Sequence, residues 1–231
     1  MTTSVRGQLA LVTGASRGIG AATAAALAAA GMRVVRIARS ALPPLAGAID
    51  IPADLADASS RHAALERVLA EAGVPDLVVS NAGAFLLAAL DETSDALLRE
   101  QLAINLEAPF AIARHLLPSM RARGTGRHVI VGSVADLKAF PGNAAYSASK
   151  FGARGLHEVL VEEYRGSGVQ CTLVSPGPTD TAVWDPIDPD TKPGFPARRD
   201  MLRPEDVAAA VVWVAQQPAH VHIESIRLTP G

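Results

Sequence analysis

Short apolar runs recur along the chain: Leu9-Ala10-Leu11-Val12, Arg33 to Ala38, Leu77-Val78-Val79-Ser80, His128 to Gly132, and Val169 to Val174. They are rich in β-branched and aliphatic residues, and those at Leu9, Leu77 and His128 are close to continuously apolar. That is the pattern of parallel strands covered on both faces. Two weaker runs, Ala48 to Pro52 and Ser225 to Leu228, read as further short strands. Helical patterns lie between them. An alanine-rich stretch follows Gly20 and stops at Gly31, a residue suited to ending a helix. A second helix over about 59–72 carries Leu65, Val68 and Leu69 on one stripe. Residues 93–122 predict two helices, the second holding Asn105. A helix runs from Ala145 to about Arg165, and another from Pro204 to Val214. This alternation predicts an α/β fold, one domain built on a parallel sheet, with no repeat and no second domain.

Two stretches depart from the alternation. Leu42-Pro43-Pro44-Leu45-Ala46-Gly47 is too short and proline-dense for a full helix. From Pro178 to Pro204 the chain has six prolines and no clear period, which predicts a lid over a site.

At 231 residues, 49% hydrophobic and 19% charged, the chain can bury a sizeable core and has no disordered composition. The net charge of −2 and the lack of a basic patch exclude a nucleic-acid partner. No run reaches membrane-spanning length and the start has no apolar leader segment, so the expectation is a soluble, cytoplasmic protein with no membrane partner. Cys171 is the only cysteine; it excludes an internal disulfide and reads as structural within its strand. His220 and His222 lie two apart without a third ligand of suitable spacing, so no metal site is expected.

The candidate chemistry gathers at the strand ends. Ser133 closes one apolar run, and Tyr146 and Lys150, four apart, share a helix face. The Phe140-Pro141-Gly142-Asn143 loop can fold Tyr146 back beside Ser133 at the carboxyl end of the strand, where open α/β sheets bind ligands. A free phenol titrates at about 10, and a nearby ammonium would lower that toward a working range. The plainer alternative is a tyrosine packed on the sheet with a solvated lysine.

After the first strand comes Thr13-Gly14-Ala15-Ser16-Arg17-Gly18-Ile19-Gly20, a glycine turn opening a helix, as a pyrophosphate-binding loop requires. The second strand ends in Ala38-Arg39-Ser40, with no carboxylate for a ribose diol. Arg39, helped by Arg17, suits a 2′-phosphate, which favours NADP(H), with NAD(H) as the alternative. Asn81-Ala82-Gly83 offers a small-residue floor for a flat cofactor, and Asn105 is a polar residue on an apolar helix face.

In this order, Thr13-Gly14-x-x-x-Gly18-Ile19-Gly20, Asn81-Ala82-Gly83, Asn105, Ser133, Tyr146-x-x-x-Lys150 and Pro176-Gly177 resemble the short-chain dehydrogenase/reductase family over essentially the whole chain. The resemblance implies a doubly wound Rossmann fold with a seven-stranded parallel sheet, assembled as a homodimer or homotetramer. It implies that Tyr146 exchanges the proton and that Lys150 lowers its pKa and binds the nicotinamide ribose. Ser133 would orient the substrate oxygen, and Asn105 would hold a water linking Lys150 to solvent. Asp54 and Leu55 match the adenine contact, Asn81 to Gly83 the cofactor floor, and Thr179 and Thr181 contacts near the carboxamide and phosphates. Ser80 stands where the family commonly has an asparagine, and the Arg39–Asp54 segment is short by about a helix.

The expected activity is hydride transfer between NADP(H) and a ketone, aldehyde or secondary alcohol. The rivals are a non-catalytic NADP(H) sensor and an NAD-linked dehydrogenase. Candidate substrate contacts are Ala135, Asp136, Phe140 and Trp184, a mostly apolar set. Arg198 and Arg199 read as a solvated lid edge rather than a site for an anionic tail.

Overall fold

The computed structural model describes residues 3–231. Its elements are β1 (Leu9–Thr13), α1 (Gly18–Ala29), β2 (Arg33–Ala38), β3 (Ile49–Pro52), α2 (Ala58–Glu71), β4 (Leu77–Ser80) and α3 (Asp95–Leu102). Then follow α4 (Ala108–Arg123), β5 (Gly126–Val131), α5 (Ala144–Glu163), β6 (Val169–Pro176), α6 (Pro204–Ala215) and β7 (Ser225–Leu228). The seven strands form one sheet in the order β3-β2-β1-β4-β5-β6-β7, with every pairing parallel. This is the doubly wound Rossmann architecture. The chain leaves β1 toward β2 on one side and returns to β4 on the other, so a crevice opens at the carboxyl ends of β1 and β4.

The unbroken apolar runs have their cause in two cores. Successive strand side chains point to opposite faces. Leu11, Val35, Val78, Ile130 and Leu173 pack beneath α2, α4 and α5 with Leu65, Leu116 and Leu160. Their neighbours Val12, Val34, Val79, Val129 and Val174 pack on the other face, with Leu27 of α1 and Val211 of α6. With both faces covered, both sets are mostly apolar, and polar exceptions such as Arg36, His128 and Thr172 are buried with hydrogen-bond partners. Cys171 is among the buried residues, and burial pushes its thiol up to about 12. Among the described residues no helix is long and apolar enough to cross a membrane.

The helices in the 93–122 region differ from the expected pair. Between α3 and α4 lies a π-helical turn, Ala103–Glu107, and Asn105 sits in it rather than in a regular second helix. The wider turn lets the Asn105 side chain reach inward. Its Nδ2 donates to the carbonyl of Ala84 (3.0 Å) and to Ser149 Oγ (2.9 Å), while its Oδ1 accepts from the Ala84 amide (3.0 Å). Such turns concentrate at functional sites because they redirect one residue without breaking the helix.

The connection between β2 and β3 carries no helix, as its prolines predict. It is held by Arg36, which is buried and pairs in two-pronged fashion with Asp50 (2.8 Å for each bond) and donates to the Pro43 carbonyl (2.7 Å).

Candidate active site

The crevice is a cavity of about 710 Å³ that runs from Arg39, Ser40, Asp54 and Leu55 past the glycine loop to Ser133, Tyr146 and Lys150. Its upper edge is the end of β6 at Pro176 and the segment after it, including Gly177, Thr179 and Thr181.

The glycine loop and the β4 terminus are tied into one unit. Thr13 Oγ1 accepts from the amides of Asn81 (3.0 Å) and Ala82 (3.1 Å), and Asn81 Nδ2 donates to the Thr13 carbonyl (2.9 Å). A Cβ on Gly20 would lie 2.2 Å from the Gly14 carbonyl oxygen and 2.4 Å from Asn81 Nδ2, so only glycine fits there. Gly18 has φ +55°, the left-handed region, and a Cβ on it would meet Thr181 Cγ2 at 3.0 Å. The loop therefore sits directly under the lid segment. No side chain caps the N-terminus of α1, and no acid occupies its first turn. Its amides, with the helix dipole behind them, face the cavity that Ser16, Arg17, Gly18 and Ile19 line. These residues fit the pyrophosphate of a dinucleotide.

At the far end Arg39 is largely exposed, 3.6 Å from the Asp54 carboxylate. Such a pair is screened and weak, so the guanidinium is free to turn toward a phosphate. The backbone of Asp54 is fixed by a bond from its amide to Ser60 Oγ (3.0 Å).

At the near end the structure brings Ser133, Tyr146, Lys150 and Asn105 together. Ser133 leaves β5 and opens a short turn in which its Oγ accepts from the Ala135 amide (3.1 Å). A hydrogen bond from Ser133 pulls the Tyr146 pKa down, but burial is the larger effect, and the phenol is pushed up to about 12. Lys150 donates to the Val131 carbonyl (3.1 Å) with its ammonium 5.7 Å from the centre of the Tyr146 ring. Burial lowers it to about 8. In this structure the ammonium addresses a main-chain oxygen, and desolvation is the largest influence on both groups. A Cβ on Gly83 would lie 2.9 Å from Asn105 Oδ1 and 3.9 Å from Lys150 Nζ, so floor, asparagine and lysine converge.

Residues 8–192 match the family described as short chain dehydrogenase. The chain belongs to the short-chain dehydrogenases/reductases. At 36% identity it is similar to D-threitol dehydrogenase of Mycolicibacterium smegmatis, over 92% of this chain and 87% of that protein. It is 32% identical to a stretch of glycine betaine reductase ATRR of Emericella nidulans; the match takes in 97% of this chain and spans only 19% of that protein. Among solved structures, a 3-oxoacyl (acyl-carrier-protein) reductase from Agrobacterium tumefaciens C58 with NADP bound superposes with a TM-score of 0.84 at 30% identity, covering 99% of this chain and 95% of that one.

Several positions in this short-chain dehydrogenase/reductase differ from the sequence expectation. Asp136 is not a wall of the cavity. It is fully buried behind Ser133, where its Oδ2 accepts from the Ser133 amide (3.3 Å) and from Ser175 Oγ (2.5 Å), and Arg154 lies 3.7 Å from its Oδ1. Arg198 stands at the lid edge, as expected, but it is paired. Its guanidinium bridges Asp180 (2.7 Å) and Asp185 (2.6 Å), and those partners raise its pKa, Asp180 first. Arg199 is exposed as expected.

Ser80 bonds the buried His128 (2.9 Å), an imidazole that burial drives down to about 3 and keeps neutral. His222 contacts the Cys171 carbonyl (2.7 Å) rather than a second imidazole. Ala135, Phe140 and Trp184 do line the cavity. Phe195 of the expected lid lines it as well, and so does Phe85, which sequence reasoning missed. Phe85 lies two residues beyond the Asn81-Ala82-Gly83 floor, and that proximity was the available signal.

Proposed function

We propose that this chain is an NADP(H)-dependent oxidoreductase that interconverts a ketone or aldehyde and the corresponding alcohol, with Tyr146 as acid and base. The observation that carries this reading is the convergence of Ser133, Tyr146 and Lys150 at one end of a dinucleotide-sized cleft. The bound nicotinamide supplies or accepts a hydride at the carbonyl carbon.

In reduction, Tyr146 gives its phenolic proton to the carbonyl oxygen as the C=O π bond opens, leaving a phenolate that takes its replacement from solvent. A phenol held up at about 12 stays protonated throughout the neutral range, and an alkoxide is basic enough to take its proton. Ser133 can donate to the same oxygen, orienting it toward Tyr146. Lys150 contributes positive charge beside the developing phenolate, and Asn105 holds the backbone of Ala84, next to Gly83 and the floor beneath the reacting ring. Arg39, with no acid at the end of β2, favours NADP(H) over NAD(H), and the NADP bound in the Agrobacterium relative supports that preference.

The exposed Phe110 of α4 and Phe151 and Val159 of α5 support assembly as a homodimer or homotetramer. The test of the activity is oxidation of NADPH and of NADH with a panel of ketones and aldehydes, run alongside Tyr146→Phe. Tyr146→Phe keeps NADPH binding and loses 10²–10⁴-fold in kcat, the range for a lost general acid. Full activity in that variant overturns the mechanism.

A further inference from the structure

A continuous chain of rings walls the cavity from the reacting tyrosine to the lid segment. Phe85 meets Tyr146 edge to face with centroids 4.8 Å apart, and meets Trp184 at 5.2 Å. Trp184 in turn meets Phe195 at 6.0 Å. All three contacts are the T-shaped arrangement that aromatic quadrupoles favour. The wall is set by its own bonds: the Trp184 indole N–H donates to the Thr179 carbonyl (3.0 Å), and Arg198 clamps Asp180 and Asp185 on either side of the turn carrying Trp184. An apolar guest therefore meets a preformed surface and orders little on entry.

The charges along the cavity sharpen this. Its cations are Arg17 and Arg39, which flank the dinucleotide cleft, and Lys150, which is engaged by Val131; its other charged groups are the acids Asp54 and Glu100. A cation stands at the outer end of the wall, where Lys192 Nζ lies 5.6 Å from the centre of the Phe195 ring; the residues lining the cavity place none at Phe85 or Trp184, and Arg198 is already matched by two carboxylates. An anionic substituent buried against Phe85 and Trp184 would lose its hydration without gaining a partner.

We infer that the substrate is a neutral ketone, or its secondary alcohol, bearing an aryl or alicyclic ring that lies against Phe85, Trp184 and Phe195, and that the site rejects analogues whose carboxylate or phosphate falls against Phe85 and Trp184. This rests on the carbonyl reading above.

The test compares kcat/KM with NADPH for acetophenone, cyclohexanone, 4-acetylbenzoate and acetone. One ring ketone is expected to exceed both 4-acetylbenzoate and acetone by more than ten-fold. Phe85→Ala and the milder Phe195→Leu should each lower the ratio of ring ketone to acetone several-fold, whatever they do to the absolute rate. Equal or better use of 4-acetylbenzoate or acetone, or an unchanged ratio in both variants, overturns the inference and leaves the reductase reading standing.

If no carbonyl compound is consumed with either cofactor, the reductase reading fails, and the wall is then judged by binding alone. The chain has two tryptophans, so Trp213→Phe leaves Trp184 as the sole indole emitter. Acetophenone should change its fluorescence in the NADP-loaded protein where 4-acetylbenzoate does not. No change with acetophenone, or an equal change with both, overturns the inference on its own.

Discussion

Tyr146 and Lys150 are displaced in opposite directions by one cause. Burial removes water from both, which favours the neutral phenol and the neutral amine. Asp136 opposes this for the lysine, since its buried charge raises Lys150. With Lys150 at about 8, the ammonium is present below that pH and lost above it. The expected outcome is that kcat/KM for reduction falls as pH rises through about 8. Asp136→Asn should move that fall to lower pH, and Lys150→Arg, whose charge does not titrate, should remove it. A pH–rate profile flat from 7 to 10 in the parent protein would count against Lys150 as the titrating group.

Arg39 invites a second residue-scale prediction. Arg39→Asp should place a carboxylate where a ribose diol binds and repel a 2′-phosphate, shifting the kcat/KM ratio of NADPH to NADH at least ten-fold toward NADH. An unchanged ratio assigns the phosphate to another group. At this scale the polar cluster was legible because strand ends and helix spacing fix where Ser133, Tyr146 and Lys150 stand. The depth of Asp136 was not, because the bond to Ser175 joins residues 39 apart in sequence.

Among the elements, the strands announced themselves through their composition. A strand covered on both faces has no polar positions to alternate, so the runs starting at Leu9, Leu77 and His128 could be read directly. The π turn at Ala103–Glu107 could not, because one extra residue in a helical turn leaves no mark on a short apolar pattern. The glycine loop joins both kinds of evidence: its spacing suggested a phosphate site, and its contacts show why each glycine is small. Gly20→Ala would drive a methyl group into the Gly14 carbonyl and the Asn81 amide. The loop would have to shift, so NADPH affinity measured by fluorescence titration should fall at least ten-fold, with a lower melting temperature. A variant that binds NADPH normally would show that the loop can relax at no cost to the site.

Over the whole molecule, two cores enclose the sheet while α4 and α5 keep apolar side chains outside. Phe151, about half exposed on α5, belongs to that outward face. For a chain of 23.9 kDa, sedimentation should give two or four times that mass, and Phe151→Glu should shift the population toward the single chain. A monomeric parent protein would assign the face another role. The parallel sheet and the cleft at its strand ends were legible at this scale, because the alternation of strands and helices leaves few topologies. The clamp of Arg198 was not: the lid sequence shows arginines and aspartates in abundance, and only the folded path selects Asp180 and Asp185 as partners.

Cys171 has a practical consequence. Its thiol is buried, and at about 12 it is almost wholly protonated at neutral pH, so it is silent toward alkylating reagents that need a thiolate. The native chain is thus a blank background for maleimide chemistry. A single cysteine introduced at an exposed lid position such as Arg199 would carry the only reactive sulfur, and a dye there would follow the lid in real time without any other residue being changed.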